Sequence, residues 1–278
     1  MNRVLCVANW SEGRNTETLS SMGRALRAGG CVVHFEGADV DHNRVVTAFS
    51  GIADEVRRTL LDVAKVAFAR IDMEKHTGVH PRVGALDVCP FIALDSPINP
   101  AFAPSIGEEL AHIYDLPIFL YEHSETGKHA ADLPSLRHGQ FEGIQGRELD
   151  PDYGPKTANP RLGATILGVR DWLVAMNLNI ESSNPATAKF AAREVRRARD
   201  AGEPKLNGVR ALGLILQSRG QTQVSMNLTK PDKTSPDLVI EWIEERTGPG
   251  VPELIGVIRP QDLPKARRLA VRDEQIVR

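Results

Sequence analysis

The C-terminal third of the chain carries the pattern that most restricts the fold. Within residues 173–181 the side chains alternate between two faces, with Val174, Met176, Leu178 and Ile180 on one face and Ala175, Asn177 and Asn179 on the other. A period of two residues is typical of a strand that is buried on one face only. The segment therefore predicts a half-buried β-strand.

The segments after this strand complete a regular order of elements. Asn184 before Pro185, and Ser235 before Pro236, each place an N-cap residue ahead of a proline and predict the starts of two helices. Three more strands are predicted, over residues 209–217, 221–229 and 253–258. The order β-α-β-β-α-β is that of a split βαβ unit, the ferredoxin-like arrangement.

The N-terminal half repeats this order. Predicted elements are a strand from Val4, a helix from Thr16, strands at 31–35 and 44–49, a helix at 56–71 and a strand at 85–94. We therefore expect an α/β (α+β) protein of two ferredoxin-like subdomains, residues 1–172 and 173–278. Their sheets are expected to face each other across a cleft lined by Asn177 and Asn179.

The middle of the chain is less regular. Ser105 and Glu108 form a capping box that predicts a short helix leading into a strand at 117–121. Residues 122–161 are rich in Gly, Pro, His and charge, and a loop of that length is usually functional or disordered. Arg137, His138 and their neighbours fit the wall of a ligand site, and a plain connection between two domains is the alternative.

Composition narrows the class of protein. With 34 basic and 36 acidic residues the formal charge is −2, and no basic stripe with interleaved aromatic residues predicts nucleic-acid binding. No segment reads as a signal peptide or a membrane span. Cys6, Cys31 and Cys89 each lie in an apolar, strand-like stretch, which favours buried reduced thiols. We expect a cytoplasmic protein in which Cys89 packs in the core, with a nucleophilic Cys89 as the weaker alternative.

The stretch over residues 76–91, H-T-G-V-H-P-R-V-G-A-L-D-V-C-P-F, predicts a functional site. Gly78 and Pro81 prevent a continuous helix, and Pro81 holds His80 in an extended conformation. An imidazole exchanges a proton near neutral pH, and Arg82 offers a planar fork for a carboxylate. The alternative is that His80 only caps a loop and Arg82 only solvates a strand end.

This stretch closely resembles the signature of the formiminotransferase family, the folate-dependent glutamate formiminotransferases. Further matches follow in the same order along the chain: N-W-S-E-G-R at 9–14, D-H-N-R at 41–44, L-P-S-L-R-H-G-Q-F-E-G at 133–143, D-Y-G-P-K at 152–156 and L-G-A-T-I-L-G-V-R at 162–170. The resemblance implies transfer of a formimino group from N-formiminoglutamate to N5 of tetrahydrofolate, with a homodimer as the assembly and no metal. It also implies that a cyclodeaminase, where needed, is a separate protein.

The resemblance implies roles for residues in these motifs. His80 stands at the family's catalytic histidine, and Arg82 and Arg44 are expected to bind substrate carboxylates. The segment expected to contact folate contributes Gly163, Ala164, Thr165, Gly168 and Arg170. For Arg170 a surface charge is an equal alternative.

One region departs from the family pattern. Residues 34–41 read H-F-E-G-A-D-V-D, and an ungapped comparison places Gly37 where a family aspartate is expected. Asp39 and Asp41 are the acidic residues predicted to bind substrate, with Glu36 as an alternative. The departure leaves the natural donor open between formiminoglutamate, formylglutamate and another N-substituted amino acid.

Two other classes of function stay open. The first is a metal enzyme that uses His76, His80 and Asp87, although Gly78 and Pro81 spoil the helical face that such a pair of histidines normally requires. The second is a folate-binding homologue without catalytic activity, because a fold does not guarantee activity.

Overall fold

A computed structural model describes residues 2–278, and the chain divides into two compact units, one ending at Arg170 and one beginning at Asp171. None of the helices within 2–278 combines the length and the apolar character needed to cross a membrane.

Within residues 2–170 the first unit contains six strands and five helices. They are β1 (Arg3–Trp10), α1 (Thr16–Ala28), β2 (Val32–Asp39), β3 (Arg44–Ile52), α2 (Ala53–Arg70), β4 (Leu86–Ala93), α3 (Phe102–Tyr114), β5 (Ile118–Leu120), α4 (Leu133–Leu136), α5 (Gln140–Ile144) and β6 (Thr165–Val169). The strand order of its sheet is β2-β3-β1-β4-β6-β5. The first four neighbours form the predicted split βαβ sheet, and β6 and β5 extend it in parallel to β4.

The main core of this unit lies between the sheet and α1, α2 and α3. Side chains that point to this face include Trp10, Phe49 and Phe91, all fully buried. Cys6 and Cys89 are buried in the same cluster with their sulfur atoms 3.5 Å apart, whereas Cys31 is half-buried. The expectation that Cys89 packs in the core is confirmed.

A bulge interrupts the pairing of β1 and β4. Asn9 pairs with Val88 and Trp10 with Leu86, so Asp87 is the extra residue on β4. A bulge turns one side chain away from the regular alternation. Asp87 is fully buried outside the main hydrophobic cluster.

The prediction of a capping box at Ser105 and Glu108 is wrong, because Ser105 is not the N-cap of α3. Helix α3 begins earlier, at Phe102, so Ser105 lies in its first turn and its hydroxyl donates to the carbonyl oxygen of Phe102 at 2.9 Å. The backbone N–H of Ala101 is instead capped by the side chain of Asn99 at 2.9 Å. A serine in a first turn makes the same local signal as an N-cap, which explains the error.

Residues 122–161 are more ordered than a plain loop. They include α4 and α5, and a second small cluster packs them on the sheet through Val83, Val88, Ile144 and Ile166. These side chains belong to a cluster distinct from the one under α1 to α3. The long connection therefore covers part of the sheet.

The described residues 171–278 form the second unit, with four strands and two helices. They are β7 (Val174–Ile180), α6 (Pro185–Asp200), β8 (Val209–Leu216), β9 (Gln221–Leu228), α7 (Pro236–Thr247) and β10 (Gly250–Ile255). The strand order β10-β7-β9-β8 confirms the predicted split βαβ unit. Asn184 and Ser235 are N-caps as predicted, and the last strand lies three residues earlier than predicted.

Packing in the second unit follows the alternation of β7. Met176 and Leu178 are buried under α6 and α7, so Asn177 and Asn179 lie on the other face. There, Asn179 accepts a hydrogen bond from Gln223 at 2.8 Å. Beyond β10 the chain packs back on the core through Leu269, so the charged C-terminal stretch is folded.

Candidate active site

His80 lies in the segment between α2 and β4, and its ring orientation fixes the position of its proton. The Nδ1 atom is 2.9 Å from the carbonyl oxygen of Pro81. A carbonyl oxygen only accepts, so Nδ1 carries the proton in the neutral ring and the lone pair lies on Nε2. His80 is half-buried. Its Nε2 atom is the basic nitrogen of the neutral side chain.

The β2–β3 turn holds the His80 segment in place. The backbone N–H of Val79 donates to the carbonyl oxygen of Asp41 at 3.1 Å, and the amide of Asn43 donates to that of Thr77 at 3.0 Å. Gly78 allows the two backbones to meet, because a Cβ there would overlap the carbonyl group of His42. The histidine segment and the turn therefore form one packed unit.

The surroundings of His80 favour the neutral ring. Burial is the main reason that the pKa of His80 lies well below its usual value, and the positive charges of Arg44 and Arg137 lower the pKa further, as does His42. The hydrogen bond to Pro81 acts in the opposite direction. His80 is therefore an unprotonated base at neutral pH.

Asp87 binds two arginines beside His80. Arg44 Nη1 donates to Asp87 Oδ2 at 2.6 Å, and Arg137 donates through Nε to Oδ1 at 3.3 Å and through Nη2 to Oδ2. The backbone N–H of Val83 donates to Oδ1 at 3.0 Å. Burial raises the pKa of Asp87, but Arg137 and Arg44 outweigh it and the pKa is lowered. We refer to Arg44, Asp87 and Arg137 as the ion cluster.

Sheet order explains how the ion cluster forms. Trp10, the last residue of β1, pairs with Val45 on one side and Leu86 on the other. The first residues of β3 and β4 therefore meet at one end of the sheet, which places Arg44 beside Asp87.

The ion cluster carries a net positive charge, because two guanidinium groups face one carboxylate. Burial lowers the pKa of Arg44 to about 10, so Arg44 stays protonated at neutral pH. Within residues 2–278, Asp87 is the only acceptor of either guanidinium group. Arg44 and Arg137 therefore keep N–H groups with which to bind an anion.

Arg82 was predicted to bind a substrate carboxylate, and in the structure it binds a carboxylate of the protein itself. Its guanidinium donates to both carboxylate oxygens of Glu142, at 2.8 and 2.6 Å, and to His76 Nδ1 at 3.2 Å. The Nε2 atom of His76 lies 2.8 Å from the carbonyl oxygen of Asn43, so both ring nitrogens of His76 have protein partners. Arg82 thus ties α5 to the His80 segment, and its predicted substrate contact stays a prediction.

The acidic residues of β2 and the following turn lie in different surroundings. Glu36 pairs with Arg27 of α1 at 2.6 Å. Asp39 accepts the backbone N–H of His42 at 2.8 Å, and Asp41 is buried in the turn that contacts the His80 segment. At Gly37 a Cβ would overlap the ring of Phe35. Asp39 and Asp41 therefore lie in the turn that packs against the His80 segment, whereas Glu36 is tied to α1.

The predicted folate segment is largely built into the sheet. Thr165 is fully buried and its hydroxyl donates to the carbonyl oxygen of Leu86 at 2.7 Å. Gly163 has a φ of +75°, and at Gly168 a Cβ would overlap the carbonyl oxygen of Tyr121. Arg170 is half-buried, and its backbone N–H donates to the carbonyl oxygen of Phe91 at 3.0 Å.

Ala164 lines a cavity of about 350 Å³ in the first unit. Val83, Phe119 and Ile166 form an apolar wall with it, while Ser135, His138, Arg147 and Glu148 contribute polar groups. Leu136 and His138, on both sides of Arg137, line the cavity as well. One short segment therefore contributes to both the cavity and the ion cluster.

The ion pair between Asp87 and Arg137 and the position of His42 were not predicted from the sequence. The rings of His42 and His80 lie with their centroids 5.4 Å apart. His42 occurs in the motif D-H-N-R and Arg137 in the motif L-P-S-L-R-H-G, and these two motifs were the available signal in the sequence. Within residues 2–278, no group of three or more His, Cys, Asp or Glu side chains is arranged to hold a metal ion.

Comparison with known proteins finds the family whose motifs the sequence resembles. Residues 3–170 match the formiminotransferase domain, N-terminal subdomain. The chain is 35% identical over 244 residues to the glutamate formimidoyltransferase of Streptococcus pyogenes, covering 84% of this chain and 79% of that protein. The formimidoyltransferase-cyclodeaminases of Sus scrofa and Dictyostelium discoideum are 35% and 33% identical over 249 and 253 residues, covering 86% and 87% of this chain.

Coverage differs among these relatives. The chain spans 46% of the Sus scrofa protein and 47% of the Dictyostelium discoideum protein, about half of their length. The matched domain includes the His80 segment and the ion cluster, and it accounts for more than half of this chain. The chain belongs to the formiminotransferase family.

Proposed function

We propose that this protein transfers the formimino group of N-formiminoglutamate to N5 of tetrahydrofolate, releasing glutamate. Family membership and the relatives named glutamate formimidoyltransferase support this reaction. The observation that carries the proposal is the state of His80. Its Nδ1 proton is held by the carbonyl oxygen of Pro81, which leaves Nε2 as a base beside two arginines.

The reaction needs a proton acceptor at the attacking nitrogen. N5 of tetrahydrofolate attacks the amidine carbon, the N5–C bond forms, and the N5 proton passes to Nε2 of His80. The bond from that carbon to the glutamate nitrogen then breaks, and this nitrogen keeps the electron pair and takes up a proton. General base catalysis of this kind contributes about 10²- to 10⁴-fold to the rate.

The ion cluster supplies binding for substrate carboxylates. Arg44 and Arg137 present N–H groups that Asp87 does not use, and the cluster has one positive charge in excess. Arginine binds carboxylates through two parallel hydrogen bonds, which fixes orientation as well as position. In this proposal the carboxylate of formiminoglutamate lies against Arg44 and Arg137, and Asp39 and Asp41 face the positive amidine end.

The cavity at Ala164 supports an aromatic ligand. Its wall of Phe119, Ala164 and Ile166 suits the flat face of a ring, and Arg147 and His138 offer donors to polar substituents. Because its lining residues adjoin Arg137, a folate bound there lies beside the ion cluster. We therefore place a ring of tetrahydrofolate in this cavity.

The test is a turnover assay with N-formiminoglutamate and tetrahydrofolate, with folate binding measured separately by calorimetry. We expect His80→Ala to reduce kcat by about 10²- to 10⁴-fold while folate binding is retained. The matched control is His112→Ala, because His112 is an exposed histidine on α3. The control is expected to keep wild-type turnover.

Folate binding without turnover in the wild-type protein would favour another donor, such as formylglutamate, or a non-catalytic folate-binding role. Absence of folate binding would overturn the proposal.

A further inference from the structure

Asn43 lies between the two segments that carry the proposed base and the proposed carboxylate site. It directly precedes Arg44 of the ion cluster, and it bonds to His76 and Thr77, which lie shortly before His80 in the chain. Asn43 is only 7% exposed. The proposed reaction does not involve its side chain, so these contacts have no assigned role.

The backbone of Asn43 has a conformation that few residues adopt. Its φ is +48°, in the left-handed region, where asparagine is tolerated better than most residues other than glycine. Asn43 is the last residue of the turn between β2 and β3, so this conformation sets the direction in which the chain enters β3 at Arg44. Gly13 packs closely against this turn, because a Cβ at Gly13 would overlap the backbone nitrogen of Arg44.

The side chain of Asn43 joins two other segments to the turn. Its Oδ1 atom accepts the backbone N–H of Gly13 at 2.9 Å, and its Nδ2 atom donates to the carbonyl oxygen of Thr77 at 3.0 Å. One side chain therefore meets a donor on one side and an acceptor on the other. An amide satisfies both partners, whereas a carboxylate only accepts.

The carbonyl oxygen of Asn43 makes a third contact. It lies 2.8 Å from Nε2 of His76, whose Nδ1 atom accepts the Nε–H of Arg82 at 3.2 Å. Because the guanidinium only donates, neutral His76 carries its proton on Nε2 and donates it to Asn43. Burial is the main cause of a lowered pKa of His76, which keeps this ring neutral at neutral pH. The segment before His80 is thus bound to Asn43 at two successive residues.

We propose that Asn43 is a positioning residue that holds His80 at a fixed place relative to Arg44, an inference that rests on the proposed function. The transfer requires Nε2 of His80 to reach N5 of tetrahydrofolate while Arg44 holds the carboxylate of the donor. Asn43 bonds to the segment of the first group and sets the backbone of the second. A displacement of about 1 Å between such groups can cost about 10²-fold in rate.

Two substitutions separate the backbone of Asn43 from its side chain. Asn43→Gly keeps the left-handed conformation and the carbonyl group that binds His76, and it removes both side-chain hydrogen bonds. Asn43→Asp keeps the acceptor for Gly13 but places a carboxylate oxygen against the carbonyl oxygen of Thr77. Asp115→Gly is the matched control, because Asp115 also has a left-handed φ, +51°, and is exposed.

The first measurement is steady-state turnover at a temperature at which circular dichroism shows each variant to be folded. We expect kcat to fall by about 10- to 100-fold in both Asn43 variants. The KM for N-formiminoglutamate should change little, because Asp87 still holds the guanidinium of Arg44. Asp115→Gly should keep the wild-type kcat. If Asn43→Gly does not fold, Asn43→Asp provides the same comparison.

The second measurement does not depend on turnover. Without the hydrogen bond to Thr77, His80 should be less well buried and less firmly held beside Arg44 and Arg137, which are the causes of its lowered pKa. Imidazole nitrogen NMR of the full chain should therefore show that the pKa of His80 rises by about half a unit or more in Asn43→Gly. In Asp115→Gly the pKa of His80 should equal that of the wild type.

The outcomes separate this inference from the proposed function. A wild-type kcat in a folded Asn43 variant, a loss confined to KM, or an unchanged pKa of His80 in Asn43→Gly overturns the positioning role. A wild-type protein without formimino transfer overturns the proposed function, while the NMR comparison still decides whether Asn43 holds His80 in place.

Discussion

Replacing Asp87 with asparagine tests the ion cluster most directly. The side chain of Asp87 is fully buried, and those of Arg44 and Arg137 are 10% and 14% exposed. Asparagine has nearly the same shape, and its oxygen still accepts the N–H of Val83. The substitution therefore removes the negative charge and leaves two nearly buried guanidinium groups without a counter-ion.

The size of the effect follows from these contacts. Hydrogen bonds to a charged group contribute about 1.5–3 kcal/mol each, and Asp87 makes such bonds to two arginines. Removing one partner of a buried ion pair costs about 3–5 kcal/mol, because the remaining charge is left uncompensated. We expect Asp87→Asn to lower the free energy of unfolding of the first unit by about 3–5 kcal/mol.

Urea unfolding at pH 7 measures this loss. In a background in which Trp172 and Trp242 are replaced by phenylalanine, the fluorescence of buried Trp10 reports the first unit alone. Asp95→Asn is the matched control, because Asp95 forms an ion pair with Arg3 at the surface. The side chain of Asp95 is 39% exposed and that of Arg3 is 45% exposed. The control should leave the unfolding midpoint nearly unchanged. If Asp87→Asn costs less than about 1 kcal/mol, the proposed role of the ion cluster in stability is wrong.

The pH dependence of the same comparison has a defined sign. The pKa of Asp87 is lowered in the folded protein, so its contribution is fully present above the pKa of an unfolded aspartate, about 3.9. The contribution is lost as pH falls through the folded pKa. The difference between the wild type and Asp87→Asn should therefore be largest at neutral pH and shrink only in strong acid.

Two further substitutions test other contacts of the site. Gly84→Ala should destabilise the first unit by about 1–3 kcal/mol, because a Cβ at this position overlaps the carbonyl oxygen of Ala164. Gly143→Ala is the control and should not destabilise the unit, because a Cβ at this position meets no atom within 4 Å. Thermal unfolding compares the two variants. Glu142→Gln should cost under about 1 kcal/mol, because the Glu142 side chain is 65% exposed, yet should speed hydrogen exchange in α5. Hydrogen bonds from Arg82 lower the pKa of Glu142, so this difference should be present above about pH 4.3 and vanish as pH falls through the folded pKa.

Much of the fold was determined by local sequence. In the second unit the alternation through Met176 and Leu178 and the caps at Asn184 and Ser235 predicted the strands and helices that the structure contains. Signals of this kind act within about one helix or strand, so the sequence shows them without knowledge of the fold. The same reasoning placed His80 in a rigid turn ahead of a buried strand.

Tertiary structure alone decided how the site is assembled. His42 lies 38 residues before His80, and Arg137 lies 50 residues after Asp87. No local pattern indicates that His42 faces His80 or that Asp87 binds Arg137. Their meeting depends on the order β3-β1-β4, on the bulge at Asp87 and on the packing of α4 and α5 over the sheet. Arg82 shows the same limit, because its residue type predicted a carboxylate partner but only the fold made that partner Glu142. Local sequence patterns extend over one helix or strand, whereas strand pairing and long-range ion pairs join residues that are many elements apart. The site is assembled by these long-range contacts, so only the tertiary structure decided it.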